Sequence, residues 1–124
     1  MKQLHLIYAN DEPLPSYIQI YTCTNIYNIP LTHILYIESH QKKTLLHTKT
    51  SSLLLPIPLY QITEMLPPAL FVQTHRSYLV NFLNISYIDK KKDPWTIFFF
   101  DSPKYAFVSR GFRRHVIDAI TLSD

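Results

Sequence analysis

Short runs of β-branched, aromatic and leucine residues recur along this chain, and each run ends at a polar or proline-containing turn. Runs of this composition favour β-strands, and the regular turns between them favour antiparallel pairing. The runs predicted to be strands are residues 17–22, 33–39, 44–49, 51–55, 78–82, 85–88, 95–100 and 105–109. We therefore predict a mainly β, antiparallel protein, in which residues 33–39 and 44–49 form a hairpin around the polar turn at residues 40–43.

Two segments depart from the strand pattern and repeat apolar residues at helical spacing. Residues 58–66 begin with a proline, which the first turn of a helix tolerates, and are followed by two more prolines that end the helix. The apolar faces are formed by Leu59, Ile62 and Leu66 in this segment and by Phe112, Val116 and Ile120 in residues 110–120. The prediction is one internal helix and one C-terminal helix added to the β structure.

The single glycine and the single cysteine, Cys23, exclude several classes of protein. One glycine cannot build the Gly-rich phosphate loop of a P-loop or dinucleotide-binding protein. One cysteine allows neither an internal disulfide nor a zinc site built on cysteines. The sequence gives no reason to expect a cofactor or a metal.

At 124 residues the chain is long enough for one domain. Pro13 and Pro15 disfavour a helix near the start, so we predict a leader over residues 1–16 and a domain over residues 17–124. The apolar start is interrupted at residues 10–12, too early for a signal peptide or a membrane span. A cytoplasmic protein that does not bind a membrane is expected.

Positive charge is concentrated in one part of the chain. The net charge is only +3, but residues 40–114 contain eleven Lys or Arg residues against four acidic residues. Such an asymmetry indicates an anionic partner, with nucleic acid the first candidate and a membrane surface the second. Neither predicted helix combines a basic face with a large apolar face, which disfavours the membrane.

A polar triplet, His75-Arg76-Ser77, stands directly before the apolar run that starts at Tyr78. A loop held by a strand is well suited to present side chains to a ligand. The alternative is purely structural, with His75 and Asn81 bonded to the backbone around a turn and Arg76 in solvent. Two further basic loops, near Lys42 and near Arg110, favour the functional interpretation.

These segments resemble the LytTR-type DNA-binding domain of bacterial transcription regulators. The resemblance covers roughly residues 17–120 and is strongest in the sequence His-Arg-Ser-Tyr-Leu-Val-Asn at residues 75–81. The other matching pieces are residues 34–39, the helix that closes on Leu66-Pro67, residues 71–74, residues 85–88 and residues 107–110. With only sixteen residues before the match, a stand-alone domain without a receiver is expected.

The resemblance implies small antiparallel sheets that present loops, rather than a recognition helix, to successive major grooves of double-stranded DNA. It also implies binding to direct repeats, with two copies as a homodimer on DNA, and no small-molecule substrate. The DNA-binding residues it implies, together with the basic residues near them, are His40, Lys42, Lys43, His75, Arg76, Ser77, Lys104, Ser109, Arg110, Arg113 and Arg114.

Arg76 and Arg110 are the predicted base readers, because a guanidinium can donate two parallel hydrogen bonds to guanine. A phosphate contact is an equal alternative for both, since most protein–DNA hydrogen bonds go to the DNA backbone. The other lysines and arginines in the set are predicted phosphate contacts. Which residue of the loop at 40–43 reads a base stays open, and His75 is either a DNA contact or a support for its loop.

Two other functions are alternatives to DNA binding. The histidines at positions 33, 40, 47 and 75 could suggest a metal-dependent or histidine-based hydrolase, but no carboxylate lies at metal-ligand spacing, so no enzyme is expected. The second alternative is an interaction module that modulates a full-length regulator without binding DNA itself. The basic loops disfavour it, because a domain that no longer contacts DNA would have little use for them.

Overall fold

The computed structural model describes residues 17–121 and the backbone of residues 8–9 and 12–13. Two short strands in the predicted leader, β1 (Tyr8–Ala9) and β2 (Glu12–Pro13), pair antiparallel. The rest of that leader and the last three residues of the predicted domain lie outside the described residues. Where the domain begins and ends therefore stays a prediction.

A five-stranded antiparallel sheet forms the centre of the molecule, in the order β7-β6-β5-β9-β8. A hairpin of β3 and β4 and a three-stranded sheet of order β10-β11-β12 accompany it. The strands are β3 Tyr17–Tyr21, β4 Ile26–Pro30, β5 Ile34–His40, β6 Lys43–Thr48, β7 Ser52–Leu55, β8 Phe71–His75, β9 Tyr78–Asn81, β10 Ile85–Asp89, β11 Trp95–Phe99 and β12 Tyr105–Val108. The predicted mainly β, antiparallel fold is confirmed.

Each face of the five-stranded sheet has its own hydrophobic core. The first core joins one face to the β3–β4 hairpin and to helix α1 (Leu59–Thr63), and Ile20 and Ile62 are fully buried in it. The second core joins the other face to the three-stranded sheet and to helix α2 (Arg113–Thr121), around Ile97 and Val116. The five-stranded sheet is therefore covered on both sides.

A β-bulge in β5 lets this one strand serve both cores. The register shifts between Ile34, which is opposite Thr48, and Tyr36, which is opposite His47. The extra residue places Leu35 and Tyr36 on the same face, in the second core, whereas Ile34 and Ile37 lie in the first. Strict alternation would have turned one of these side chains to the wrong side of the sheet.

Both predicted helices are present, with shorter α-helical parts than expected. The α1 segment has the predicted apolar face, since Leu59, Ile62 and Leu66 all contact the first core. The C-terminal segment begins as a 3-10 turn over Arg110–Phe112 before it becomes α2. None of the helices in the described part of the chain is long and apolar enough to cross a membrane.

Strand β4 was not predicted. Residues 26–30 contain Asn28 and Pro30, which are weak strand formers. In the structure all five residues pair with β3, from Tyr17 opposite Pro30 to Tyr21 opposite Ile26. The pairing buries Ile29 in the first core, and this burial outweighs the local preference.

Candidate nucleic-acid interface

The three basic loops lie together at one end of the five-stranded sheet. The backbone N–H of Ser39, beside the first loop, donates to the carbonyl of Ser77 in the second loop at 2.9 Å. The backbone N–H of Ser109, in the third loop, donates to the carbonyl of Thr74 at 3.0 Å. The Thr74 hydroxyl also donates to the carbonyl of Phe107 at 2.8 Å. We call this region, with its turns at Gln41–Lys42 and Arg76–Ser77 and the segment Ser109–Arg110, the loop end.

The first loop is a tight turn between β5 and β6. Gln41 and Lys42 both have positive φ angles, 50° and 66°, so the two residues between the strands adopt the left-handed conformation of a two-residue hairpin turn. The side chains of His40, Lys42 and Lys43 are exposed around it. The turn is therefore narrow and carries its basic residues outward.

The second loop is a two-residue turn at Arg76–Ser77, because His75 already belongs to β8. The backbone N–H of Ser77 donates to Nδ1 of His75 at 3.1 Å, and the His75 ring lies 4.7 Å from the Tyr78 ring. These contacts support the interpretation of His75 as a support for the loop. Arg76 is exposed, and among residues 17–121 no ion pair or hydrogen bond holds its side chain.

The third loop contains an ion-pair cluster that the sequence did not reveal. An Nη2 atom of Arg110 lies 2.7 Å from one oxygen of Asp93, and Nη2 of Arg113 lies 3.4 Å from the other. The guanidinium of Arg113 also stacks over the Trp95 ring at 4.7 Å. The hydrogen bond from Arg110 and the charges of both arginines hold the pKa of the Asp93 carboxyl below its usual value.

The start of α2 continues this basic surface. Arg113 and Arg114 occupy its first turn, which has no acidic residue. Cations at this position are unfavourable for the helix, because the dipole is positive there. The same field attracts an anion. The two arginines therefore cost the helix some stability and favour the binding of a negatively charged ligand. Arg114 is exposed, with its Nε 3.3 Å from Asp118 one turn along the helix.

A further basic turn lies beside the predicted site. Lys90, Lys91 and Lys92 follow β10, and the pairing of Trp95 with Val108 places this turn at the loop end, beside the third loop. All three lysines are exposed, and Nζ of Lys90 lies 5.6 Å from the centre of the Trp95 ring. Their local charge was the only sequence signal, and it is equally typical of an ordinary solvated turn.

Lys104 is the one predicted contact that lies away from the loop end. Its ammonium donates to the carbonyls of Thr48 and Ser51 and to the Ser52 hydroxyl, in the turn between β6 and β7 at the opposite end of the five-stranded sheet. Burial lowers the pKa of this ammonium. The structure therefore favours a structural role for Lys104, and its predicted phosphate contact stays a prediction.

Two buried asparagines hold the same opposite end, which we call the anchored end. It comprises the 3-10 turn Leu31–His33 and the turn at residues 49–51. The Asn81 amide donates to the carbonyls of Leu31 and Ile34 at 2.8 and 2.9 Å, and its oxygen accepts from the Leu83 N–H at 3.1 Å. Asn81 is therefore bonded to the backbone, as its structural interpretation predicts, but at the anchored end and not in the loop at residues 75–77. The amide of Asn84, which sequence reasoning missed, donates to the backbone carbonyls of Thr32 and Ile34.

The four histidines of the hydrolase alternative lie in separate surroundings. His33 and His40 are exposed, and His75 bonds to its own turn. His47 lies between Glu38, at 2.7 Å, and Ser52, at 2.8 Å, so both of its ring nitrogens have a partner. In the part of the chain that the structure describes, no group of three His, Cys, Asp or Glu side chains is arranged to hold a metal.

Known proteins resemble this chain in sequence and in fold. The model of the LytTr DNA-binding domain family matches residues 24–121. The transcriptional regulatory protein YpdB of Escherichia coli K12 and that of Shigella flexneri are each 35% identical over 66 residues, which are 53% of this chain and 25% of each relative. The chain thus covers about a quarter of the length of these curated relatives.

A solved LytTr DNA-binding domain from Bacillus cereus has the same fold. It superposes with a TM-score of 0.70 at 19% identity and covers 86% of this chain and 98% of its own. The family match extends over most of the chain and includes all three basic loops. The chain therefore belongs to the LytTr family and is a DNA-binding domain of the kind found in bacterial transcription regulators.

Proposed function

We propose that this protein binds double-stranded DNA sequence-specifically through its loop end and thereby regulates transcription in the bacterial cytoplasm, without catalysis. The observation that supports this most is the meeting of three basic loops at one end of the sheet, joined by backbone hydrogen bonds. Loops fixed to one another in this way can present their side chains at set distances. Fixed spacing is what recognition of a DNA sequence requires.

The shape of the loop end suits the major groove. A two-stranded β-ribbon fits the major groove of B-DNA, and the loop end presents two hairpins that each end in a two-residue turn. In the proposed complex these hairpin turns and the third loop enter successive major grooves. Direct repeats in the operator would then place two copies on one face of the DNA as a homodimer.

Arg76 is the proposed base reader, because its guanidinium is exposed at the tip of a hairpin and can donate two hydrogen bonds to guanine O6 and N7. Arg110 has the same chemistry but starts from an ion pair with Asp93, so it reads a base or a phosphate only after leaving that partner. The remaining proposed contacts at the loop end are His40, Lys42, Lys43, Ser77, Ser109, Arg113 and Arg114.

The test is a titration of fluorescently labelled duplexes, followed by anisotropy at several salt concentrations. The duplexes are tiled from the DNA upstream of the protein's own gene, with a scrambled duplex as reference. We expect one tile to bind at least a hundredfold more tightly than the scrambled duplex, a difference of about 2.7 kcal/mol. A steep fall of affinity with salt should accompany it.

A matched pair of variants assigns the binding to the loop end. Arg76→Gln and Lys49→Gln each remove one positive charge, the first from the loop end and the second from the anchored end. Only Arg76→Gln should reduce the preference for the selected tile. Equal, weak binding of all duplexes by the unmodified protein would contradict the proposal and favour the interaction module that modulates a full-length regulator.

A further inference from the structure

Asp93 has an unusual position for an acidic residue on a DNA-binding surface. Its two carboxylate oxygens accept from two different arginines, Arg110 and Arg113, and both arginines are among the predicted DNA contacts. The guanidinium of Arg113 stacks on the Trp95 ring, and its Nη2 atom faces Asp93. Without DNA, one carboxylate therefore occupies donors that a DNA phosphate or base would use.

We propose that Asp93 is a specificity-determining residue, which pairs with Arg110 and Arg113 in the free protein and is displaced when the operator binds. The proposal rests on the proposed function, because it assigns to Asp93 a control over the DNA contacts of the loop end. Asp93 weakens binding to unrelated DNA more than binding to the operator.

The exposure of the cluster makes the exchange feasible. The side chains of Arg110 and Asp93 are 76% and 61% exposed, so the pair is reached by water and by a ligand. Exposed ion pairs of this kind contribute little stability, so another anion can replace the carboxylate. In the exchange one negative group takes the place of another on the same donors, and neither guanidinium is left without a partner.

The two kinds of DNA complex differ in whether the exchange takes place. Binding to unrelated DNA depends on phosphate contacts and the release of counterions. In that loose complex Asp93 stays on the arginines, cancels one of their two positive charges and repels nearby phosphates. In the operator complex, fixed hydrogen bonds to the DNA displace the carboxylate and return both arginines to the interface. Asp93 thus reduces the number of phosphate contacts mainly on unrelated DNA.

The test compares Asp93→Asn with Asp101→Asn. Both substitutions remove one negative charge, but Asp101 lies in the turn between β11 and β12, towards the anchored end. Its φ of 55° is one that asparagine tolerates, so the control should fold normally. The readout is the slope of log affinity against log salt for the scrambled duplex and for the selected tile.

For Asp93→Asn we expect the scrambled duplex to bind about eightfold more tightly at 0.1 M salt for each arginine released, with a slope steeper by about 0.9 per arginine. The slope for the selected tile should change much less, so the ratio of the two affinities falls. Asp101→Asn should change neither slope by a comparable amount. Combining Asp93→Asn with Arg110→Ala should remove the part of the gain that Arg110 supplies.

Three results would overturn the inference. Asp93→Asn could instead weaken binding to the selected tile and leave binding to the scrambled duplex unchanged. Asp93 would then position Arg110 for its contact with a base and would not keep Arg110 away from unrelated DNA. If Asp93→Asn behaves like Asp101→Asn while the unmodified protein prefers one tile, the inference fails and the proposed function stands. If the unmodified protein binds no duplex, both fail. A thermal melt of each variant shows that the compared proteins are folded.

Discussion

The two ends of the five-stranded sheet use polar residues in opposite ways. At the anchored end, Asn81 and Asn84 are buried and hydrogen-bonded to backbone carbonyls, and Lys104 donates to three acceptors. At the loop end, Lys42 and Arg76 extend from tight turns into solvent. Polar groups stabilise the fold at one end, whereas at the other they are available to a ligand.

This difference shows that residue type alone does not identify a DNA contact. Lys42 and Lys104 both lie in turns between strands of a basic chain, and the sequence suggested the same role for both. What separates them is the set of acceptors around the ammonium. Lys104 replaces its water with two backbone carbonyls and a hydroxyl, whereas among residues 17–121 nothing holds Lys42.

The strongest test of the anchored end is Asn81→Ala. The substitution leaves the Leu31 carbonyl and the Leu83 N–H without their side-chain partner and leaves the Ile34 carbonyl to Asn84 alone, at a residue whose exposed fraction is 0%. We expect the free energy of unfolding to fall by about 3 kcal/mol, because buried polar groups without a partner are strongly destabilising. Urea denaturation measures this. Asn28→Ala, at an exposed position of β4, should change stability little, and equal losses would remove the distinction between the two positions.

Arg76→Ala tests the loop end and should have the next largest effect, on binding rather than on stability. Loss of a bidentate contact to guanine should reduce the preference for the selected tile by about thirtyfold. The midpoint of urea denaturation should stay unchanged, since the described structure gives the Arg76 side chain no intramolecular partner. If Arg76→Ala unfolds the protein, the purely structural interpretation of this loop is correct.

Lys104→Met exchanges an anchored cation for an apolar side chain of similar length. We expect a loss of about 1 kcal/mol in the free energy of unfolding, since the acceptors in the turn between β6 and β7 are partly reached by water. The salt dependence of binding to the scrambled duplex should not change. Lys43→Met at the loop end is the matched control and should lower that slope by about 0.9. An equal decrease of the slope for Lys104→Met would show that Lys104 contacts a phosphate after all.

The smallest expected effect is a gain in stability from Gln41→Gly. Gln41 has a φ of 50°, a conformation that glycine adopts without steric strain. Glycine loses more conformational entropy on folding than glutamine does, and this loss offsets part of the relief of strain. The free energy of unfolding should therefore rise by only about 0.5 kcal/mol. Thermal unfolding monitored by circular dichroism measures it. A loss of stability would indicate that the Gln41 side chain contributes contacts that outweigh the strain.

Much of the fold could be predicted because the local pattern and the buried pattern coincide. All eight predicted runs between residues 17 and 109 are strands in the structure, with only small changes at their ends. Strand β4 could not be predicted, because its stability comes from pairing with β3 and from burial of Ile29. The bulge in β5 is also decided by the two cores and not by the local sequence.

The candidate site was predictable in its loops but not in its internal contacts. His75, Arg76 and Ser77 follow a strand pattern and stand out by composition, whereas Asp93 is seventeen residues from Arg110 in the chain. Ion pairs between distant turns leave no periodic signal in a single sequence. Thr74, which bonds to the third loop, could have been found, since alternation in Phe71–His75 places it on the buried face with Val72.

Trp95 is the only tryptophan in the chain, and it lies beneath the guanidinium of Arg113 and near the ammonium of Lys90. All indole emission from the protein therefore originates at one place, beside the ion pairs of the third loop. The wavelength and intensity of indole emission depend on the charges close to the ring. The protein thus contains a natural optical reporter of events at that loop, and no label has to be attached to observe them.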